Sequence, residues 1–171
     1  MIEPQKIQEN LYYDERSAGG LVYKKENDTI FWLLIKTVSK KRIEDERAEH
    51  NQRYVYKFPK GHLEGSEFLK QAALREVEEE GRVKAKIMTK IGSNNYIIWD
   101  KLKHQKIIKK VTFFLMDFVS TSNLKHYDTE GVLDREWLTY EVATEKLAYD
   151  SEKVLLRKAK HKLDDILKHK K

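Results

Sequence analysis

The sequence predicts an α/β fold, with a mixed sheet lying between helical layers. Three observations predict it. Apolar runs at residues 17–25, 29–38 and 109–120 read as strands. Between the second and third run, Leu69, Ala72 and Ala73 recur at helical spacing. Helical spacing returns near the C-terminus, in Val154, Leu155, Ala159, Leu163, Ile166 and Leu167. Strands on both sides of one helix, followed by further helices, form a sheet covered on its faces.

The elements follow in order. SAGGLVYKK (17–25) and TIFWLLIKTV (29–38) are strands joined by the polar turn ENDT. The second is apolar almost throughout, which marks a central strand. KKRIEDERAEHNQR (40–53) has mixed charge and little periodicity, and reads as a long surface loop. YVYKF is strand-like and ends at the punctuation Phe58-Pro59-Lys60-Gly61. Gly65 and Ser66 mark a helix start, with Ser66 as N-cap. Gly81 marks its stop, expected in the left-handed conformation, which leaves Arg82 extended at the head of the next strand. VKAKIMTKI (83–91) and YIIW (96–99) read as two strands. KKVTFFLMDFVS (109–120) is apolar on nearly every position and is expected to be buried on both faces. TSNLKHYDTEG (121–131) is loop, a strand ends at Trp137, a helix starts near Thr139, and a last helix covers about 151–168.

The length of 171 residues suits a single domain, 1–171, with a core at about 15–160 and a basic C-terminal helix. No apolar run reaches membrane-span length, and MIEPQKIQEN has no signal-peptide apolar region. Without cysteine, disulfides, thiolate chemistry and zinc-thiolate sites are excluded, and a reducing, cytoplasmic setting is expected. The net charge of +6 suits an anionic partner, such as a polyphosphate or RNA. No membrane partner and no obligate protein partner are expected.

The chemistry concentrates on the helix after Gly61. At about 100° per residue, Glu76, Glu79 and Glu80 fall on the same face as Leu69, Ala72 and Ala73. Glu78 points to the far side, where a solvated glutamate belongs. Three carboxylates thus extend an apolar stripe, near a helix C-terminus where the dipole disfavours negative charge. They repel one another unless a cation or proton intervenes. A cluster of hard oxygen donors suits Mg²⁺ or Mn²⁺.

Gly61, Glu67, Arg75-Glu76-Val77-Glu78-Glu79-Glu80 and Val83 stand at spacings that resemble the Nudix box of pyrophosphohydrolases. One departure is Gly81-Arg82, where the box places its glycine one residue later. The resemblance implies an α/β/α sandwich and metal-dependent cleavage of nucleoside polyphosphates. Among its branches, Pro59-Lys60-Gly61-His62 is most similar to the diadenosine-tetraphosphate hydrolases. Removal of pyrophosphate from RNA 5′ ends or nucleoside triphosphates is the alternative, and a non-catalytic nucleotide- or RNA-binding module a third.

By this resemblance Glu79 and Glu80 are the foremost metal ligands, joined by the Gly61 carbonyl. Glu76 is either a further ligand or the general base, and both stay open. The catalytic set is Glu67, Arg75, Glu76 and Glu79. Arg75 suits an ion pair with Glu67 or a loop carboxylate better than a phosphate contact. Lys60 offers a point charge to a phosphate. His62 donates to another phosphate or caps the loop. Tyr96, Trp99 and Tyr127 are candidates to stack a base, with Tyr96 and Tyr127 foremost. Glu130 and Glu136 are candidate fourth acids, although a surface role suits each better. His50, His104 and His126 show no metal-ligand spacing.

Overall fold

The computed structural model describes residues 14–39, 54–124 and 131–169. The expected loop at 40–53 lies outside the described residues, as do Tyr127, Glu130, His50 and His126. Ten elements follow the chain: β1 (Glu15–Glu26), β2 (Thr29–Val38), β3 (Tyr54–Lys57), β4 (Lys60–His62), α1 (Leu69–Gly81), β5 (Val83–Asp100), β6 (Gln105–Thr121), β7 (Val132–Leu138), α2 (Tyr140–Lys146) and α3 (Asp150–Lys168).

The strands form one mixed sheet in the order β3-β2-β1-β6-β5, with β4 pairing β1 and β7 pairing β2. Strand β1 runs parallel to β6 and antiparallel to β2 and β4. β2 is central as expected. Its first half pairs β1, and its second half pairs β3 and β7. The sheet's alternation sorts side chains into two cores. Ala18, Val22, Leu33, Phe114 and Met116 face α1, whose Ala72, Ala73 and Val77 cover them. Leu21, Tyr23, Trp32, Leu34, Phe113 and Leu115 face the other way, under Leu155, Leu156, Ala159 and Leu163 of α3. Burial of a Leu or Val side chain contributes about 1.5–3 kcal/mol, so these two layers fix the sandwich. In β6 every residue from Val111 to Met116 is buried, because helices lie on both sides of it.

The structure corrects several local expectations. Helix α1 starts at Leu69, and its N-cap is Phe68, not Ser66; Gln71 Oε1 accepts from the Phe68 N–H at 2.9 Å. Glu67 therefore precedes the helix, in a turn closed by Glu67 N–H to Glu64 O at 3.0 Å. The segment around Gly61 is not only a turn, since Lys60–His62 form β4 against Ser17–Gly19. The two expected strands at 83–91 and 96–99 are one, β5, because β6 pairs along its whole length and three register shifts absorb the irregular residues. Glu78 is not simply solvated: Ser122 Oγ donates to its Oε1 at 2.7 Å.

The end of α1 is the largest correction. Gly81 stays in the helix, and Arg82 takes the left-handed C-cap, at φ 57° and ψ 33°. The cap is held by Arg82 N–H to Glu78 O at 3.0 Å and Ser122 N–H to Arg82 O at 2.9 Å. The Arg82 guanidinium donates to Leu124 O. Gly81 serves packing instead: a Cβ there would come within 3.0 Å of Leu33 Cδ2. Glycine eases the approach of the helix to β2 at that point, and the left-handed conformation falls to the next residue.

Candidate active site

Helix α1 carries its carboxylates to the edge of β4. Gly61 lies so close that a Cβ there would overlap the Glu76 carboxylate. Only glycine lets the strand backbone meet that group. Glu76 is buried, with a side chain 12% exposed. Burial pushes its pKa up, Arg75 opposes the shift, and the charges of Glu80 and Glu79 add to it. Burial likewise raises the Glu80 pKa against the pull of Lys57, Lys60 and Arg135. Glu80 Oε2 accepts the Lys60 backbone N–H at 2.8 Å, tying helix to strand.

Arg75 gathers the other acids. Its Nε and Nη2 donate to the two Glu67 oxygens, each at 3.0 Å. Its Nη1 reaches Glu76 Oε1 at 2.8 Å and Glu79 Oε2 at 3.1 Å. Nη2 also donates to the His62 carbonyl at 2.8 Å. These bonds hold Arg75 firmly charged and keep the Glu67 carboxyl below its usual range. The helical wheel sets Arg75 aside from Glu76, but the long side chain curls back to it. No gathering of three or more His, Asp or Glu donors poised for a cation occurs among the described residues. Arg75 holds Glu67, Glu76 and Glu79 in the positions seen. The donors still fit a hard divalent ion in kind: the neighbouring carboxylates of Glu76, Glu79 and Glu80, where the charges of Glu79 and Glu80 disfavour ionisation of Glu76.

Across β4, on the α3 side of the sheet, lies a cleft of about 310 Å³ lined by Lys57, Lys60, Tyr96, Ile98, Lys109, Val111 and Tyr149. Lys60 and Tyr96, both candidates from the sequence, line this cleft; Lys57, Lys109 and Tyr149 were not candidates, because separate parts of the chain bring them together. His62 stands at the rim, its Nε2 3.1 Å from Glu15 Oε2 and 3.0 Å from Lys109 Nζ. It can donate to the first or accept from the second, not both at once. Trp99 lies farther out and does not line the cleft. Glu136 is committed elsewhere: it accepts from Tyr56 Oη and Lys146 Nζ, each at 2.6 Å, and these bonds lower its pKa.

Behind the cleft sits Glu152, in the first turn of α3 and 0% exposed. Neither carboxylate oxygen has a hydrogen-bond partner among the described residues. The charges of Lys60 and Lys57 and the Phe58 backbone favour its ionised form, and the charge of Glu80 opposes it. Burial pushes its pKa up to about 7. The signal that singles out Glu76 was present here too: Glu152 lies on the apolar stripe of Leu155, Leu156, Ala159 and Leu163.

The chain matches the NUDIX domain family over residues 14–158, and it belongs to that family. It is 29% identical over 120 residues to MutT4 of Mycobacterium tuberculosis (strain CDC 1551 / Oshkosh), covering 70% of this chain and 47% of that protein. The chain thus spans about half the length of this relative. Among solved structures it is similar to a C. elegans Ap4A hydrolase in a binary complex, with TM-score 0.57 and 21% identity over 88% of this chain and 98% of that one. It is also similar to the E. coli dihydroneopterin triphosphate pyrophosphohydrolase, with TM-score 0.54 and 17% identity over 85% and 94%. At these identities the likeness shows a shared fold, the mixed α/β sandwich described above. No helix among the described residues is long and apolar enough to cross a membrane.

Proposed function

We propose that the chain is a divalent-metal-dependent pyrophosphohydrolase acting on nucleoside polyphosphates, and that dinucleoside tetraphosphates such as diadenosine tetraphosphate are its favoured substrates. One observation carries this reading. Strand β4 has a buried acidic cluster on one side and a three-lysine, two-tyrosine cleft on the other. A substrate lying across Gly61 would place its phosphates between acids and lysines. Family membership and the Ap4A hydrolase among its structural relatives support the same reading.

Glu76, Glu79 and Glu80, with the Gly61 carbonyl, would hold Mg²⁺ or Mn²⁺. When bound, such an ion neutralises phosphate charge and acidifies water. A carboxylate of the cluster, Glu76 or Glu79, accepts the proton as the water oxygen bonds to phosphorus. The bridging P–O bond then breaks, and its oxygen leaves with the departing nucleotide. Arg75 and Glu67 keep the acids in register. Lys60, with Lys57 and Lys109, meets phosphate oxygens on the cleft side. Tyr96, with Tyr149, offers faces to a base. His62 sits where it can reach a phosphate only by leaving Glu15. The cytoplasm, where these nucleotides occur, is the setting that fits.

A second reading is pyrophosphate removal from triphosphorylated RNA ends. It is favoured by the exposed Lys101, Lys103 and Lys106, at and beside the turn that joins β5 to β6. A panel of dinucleoside polyphosphates, nucleoside triphosphates and triphosphorylated RNA, each with Mg²⁺, Mn²⁺ or chelator, decides between them by product analysis. Full activity in excess chelator on every substrate would overturn the proposal.

A further inference from the structure

Strands β5 and β6 continue past the cleft as a hairpin, paired out to Asp100 and Gln105. From Tyr96, which lines the cleft, the paired strands reach about 13 Å farther at roughly 3.3 Å per residue. This extension buries little. Ile97 is 72% exposed, Trp99 57% and Leu102 94%. Large apolar side chains left exposed on one short arm are open to a partner.

The charge of the arm is one-sided. Lys101, Lys103 and Lys106 are all exposed, and Lys106 stands directly across from Trp99. Asp100 is the one acid between residues 97 and 110. Its Oδ1 is already taken up by the turn, accepting from Leu102 N at 2.9 Å and Lys103 N at 3.1 Å. A partner therefore meets an aromatic face and three cations, with one carboxylate held in the turn.

We propose that the hairpin of residues 97–106 is a docking arm for single-stranded RNA. A base stacks on Trp99, and the phosphates meet Lys101, Lys103 and Lys106. Sequence-tolerant binders of single strands combine these two elements, a stacking face and a cationic track. Continuity sets the direction. Tyr96, Ile98 and Lys109 belong both to the hairpin's base and to the cleft wall, so RNA on the arm runs toward the lysine cluster. Only this last point, a 5′ polyphosphate end lodged in the cleft, rests on the proposed hydrolase reading.

A lipid bilayer fits less well. Strand alternation puts Ile97 and Trp99 on one face and Ile98 on the other, and Lys101 and Lys103 flank Leu102. No continuous apolar wedge remains to enter lipid. A second copy of this chain fits less well still, because it would set three lysines against three.

The test uses the full chain and a twelve-nucleotide oligouridylate with a 5′ hydroxyl, so that binding is separate from hydrolysis. Tryptophan emission reports on Trp99 by the difference between wild type and Trp99→Ala, since Trp32 and Trp137 emit in both. Wild type is expected to bind, with affinity falling as salt rises. The triple variant Lys101→Ala, Lys103→Ala, Lys106→Ala should reduce the slope of log K against log salt by about 2, at roughly 0.7 per neutralised phosphate. Trp99→Ala should weaken binding about tenfold, within the range for losing one stacked base. Both variants should keep the wild-type melting temperature and hydrolyse a small dinucleotide at the wild-type rate. An unchanged slope in the triple variant overturns the inference. So does a Trp99 emission shift with phosphatidylserine vesicles but not RNA, or a Trp99-dependent dimer in sedimentation. RNA binding as described in a protein inactive on every nucleotide would leave this inference standing and refute the hydrolase reading alone.

Discussion

Glu152→Gln is the perturbation that tests the interior most directly. The native carboxyl titrates at about 7, against 4.5 for an exposed glutamate, and burial is the main cause. The raised value means the folded protein binds this proton more tightly than the unfolded chain. Stability from it is full below pH 4.5, declines as pH rises through the window up to about 7, and is absent above. At about 1.4 kcal/mol per unit, ionising Glu152 in place costs on the order of 3 kcal/mol at pH 8. Some 2 kcal/mol of that appears between pH 5.5 and pH 8, by the same linkage. Glutamine keeps the shape and cannot ionise. Urea denaturation of both proteins at pH 5.5 and pH 8 isolates the residue, because all other groups titrate alike in the two. Glu152→Gln should gain on wild type by about 2 kcal/mol between those pH values. Glu152→Met should show the same pH trend even if its packing lowers both values. Parallel pH dependence in wild type and variants would refute the reasoning and would mean that Lys57 or Lys60 already neutralises the carboxylate.

Four further outcomes are expected. Glu79→Gln and Glu80→Gln should each lower kcat by about 10² or more while the fold survives, by steady-state assay and circular dichroism. Mg²⁺ at a hundredfold excess over its Kd should stabilise wild type by about 2.7 kcal/mol, and an unmoved melting temperature would count against the acidic cluster as a cation site. Lys60→Ala should reduce kcat/KM for a dinucleoside tetraphosphate by about 1–3 kcal/mol more than for a nucleoside diphosphate derivative, and equal losses would make Lys60 structural. Arg82→Gly and Arg82→Ala both delete the contact to Leu124, so their difference reports the backbone: the glycine variant should be the more stable by about 1 kcal/mol, and equal melting would show that φ 57° carries no strain.

The sequence by itself determined the layers and the acidic helix face. Both are periodic, and period is set by local geometry: residues at i, i+3 and i+4 share a helix face whatever the helix packs on. That is why Glu76, Glu79 and Glu80 could be grouped before any contact was known, and why Glu152 carried the same signal. Which residue ends α1 was not legible. Gly81 looked like a cap, but its lack of a Cβ is taken up by Leu33, a contact across the sheet that no local pattern encodes. The single β5 was hidden for a related reason, since Gly92-Ser93-Asn94-Asn95 reads as a break until β6 supplies the ladder that spans it. The cleft was least legible of all. Lys57, Lys60, Lys109, Tyr96 and Tyr149 meet only because β3, β4, β5, β6 and the start of α3 converge, and convergence across long sequence separations belongs to the tertiary structure alone.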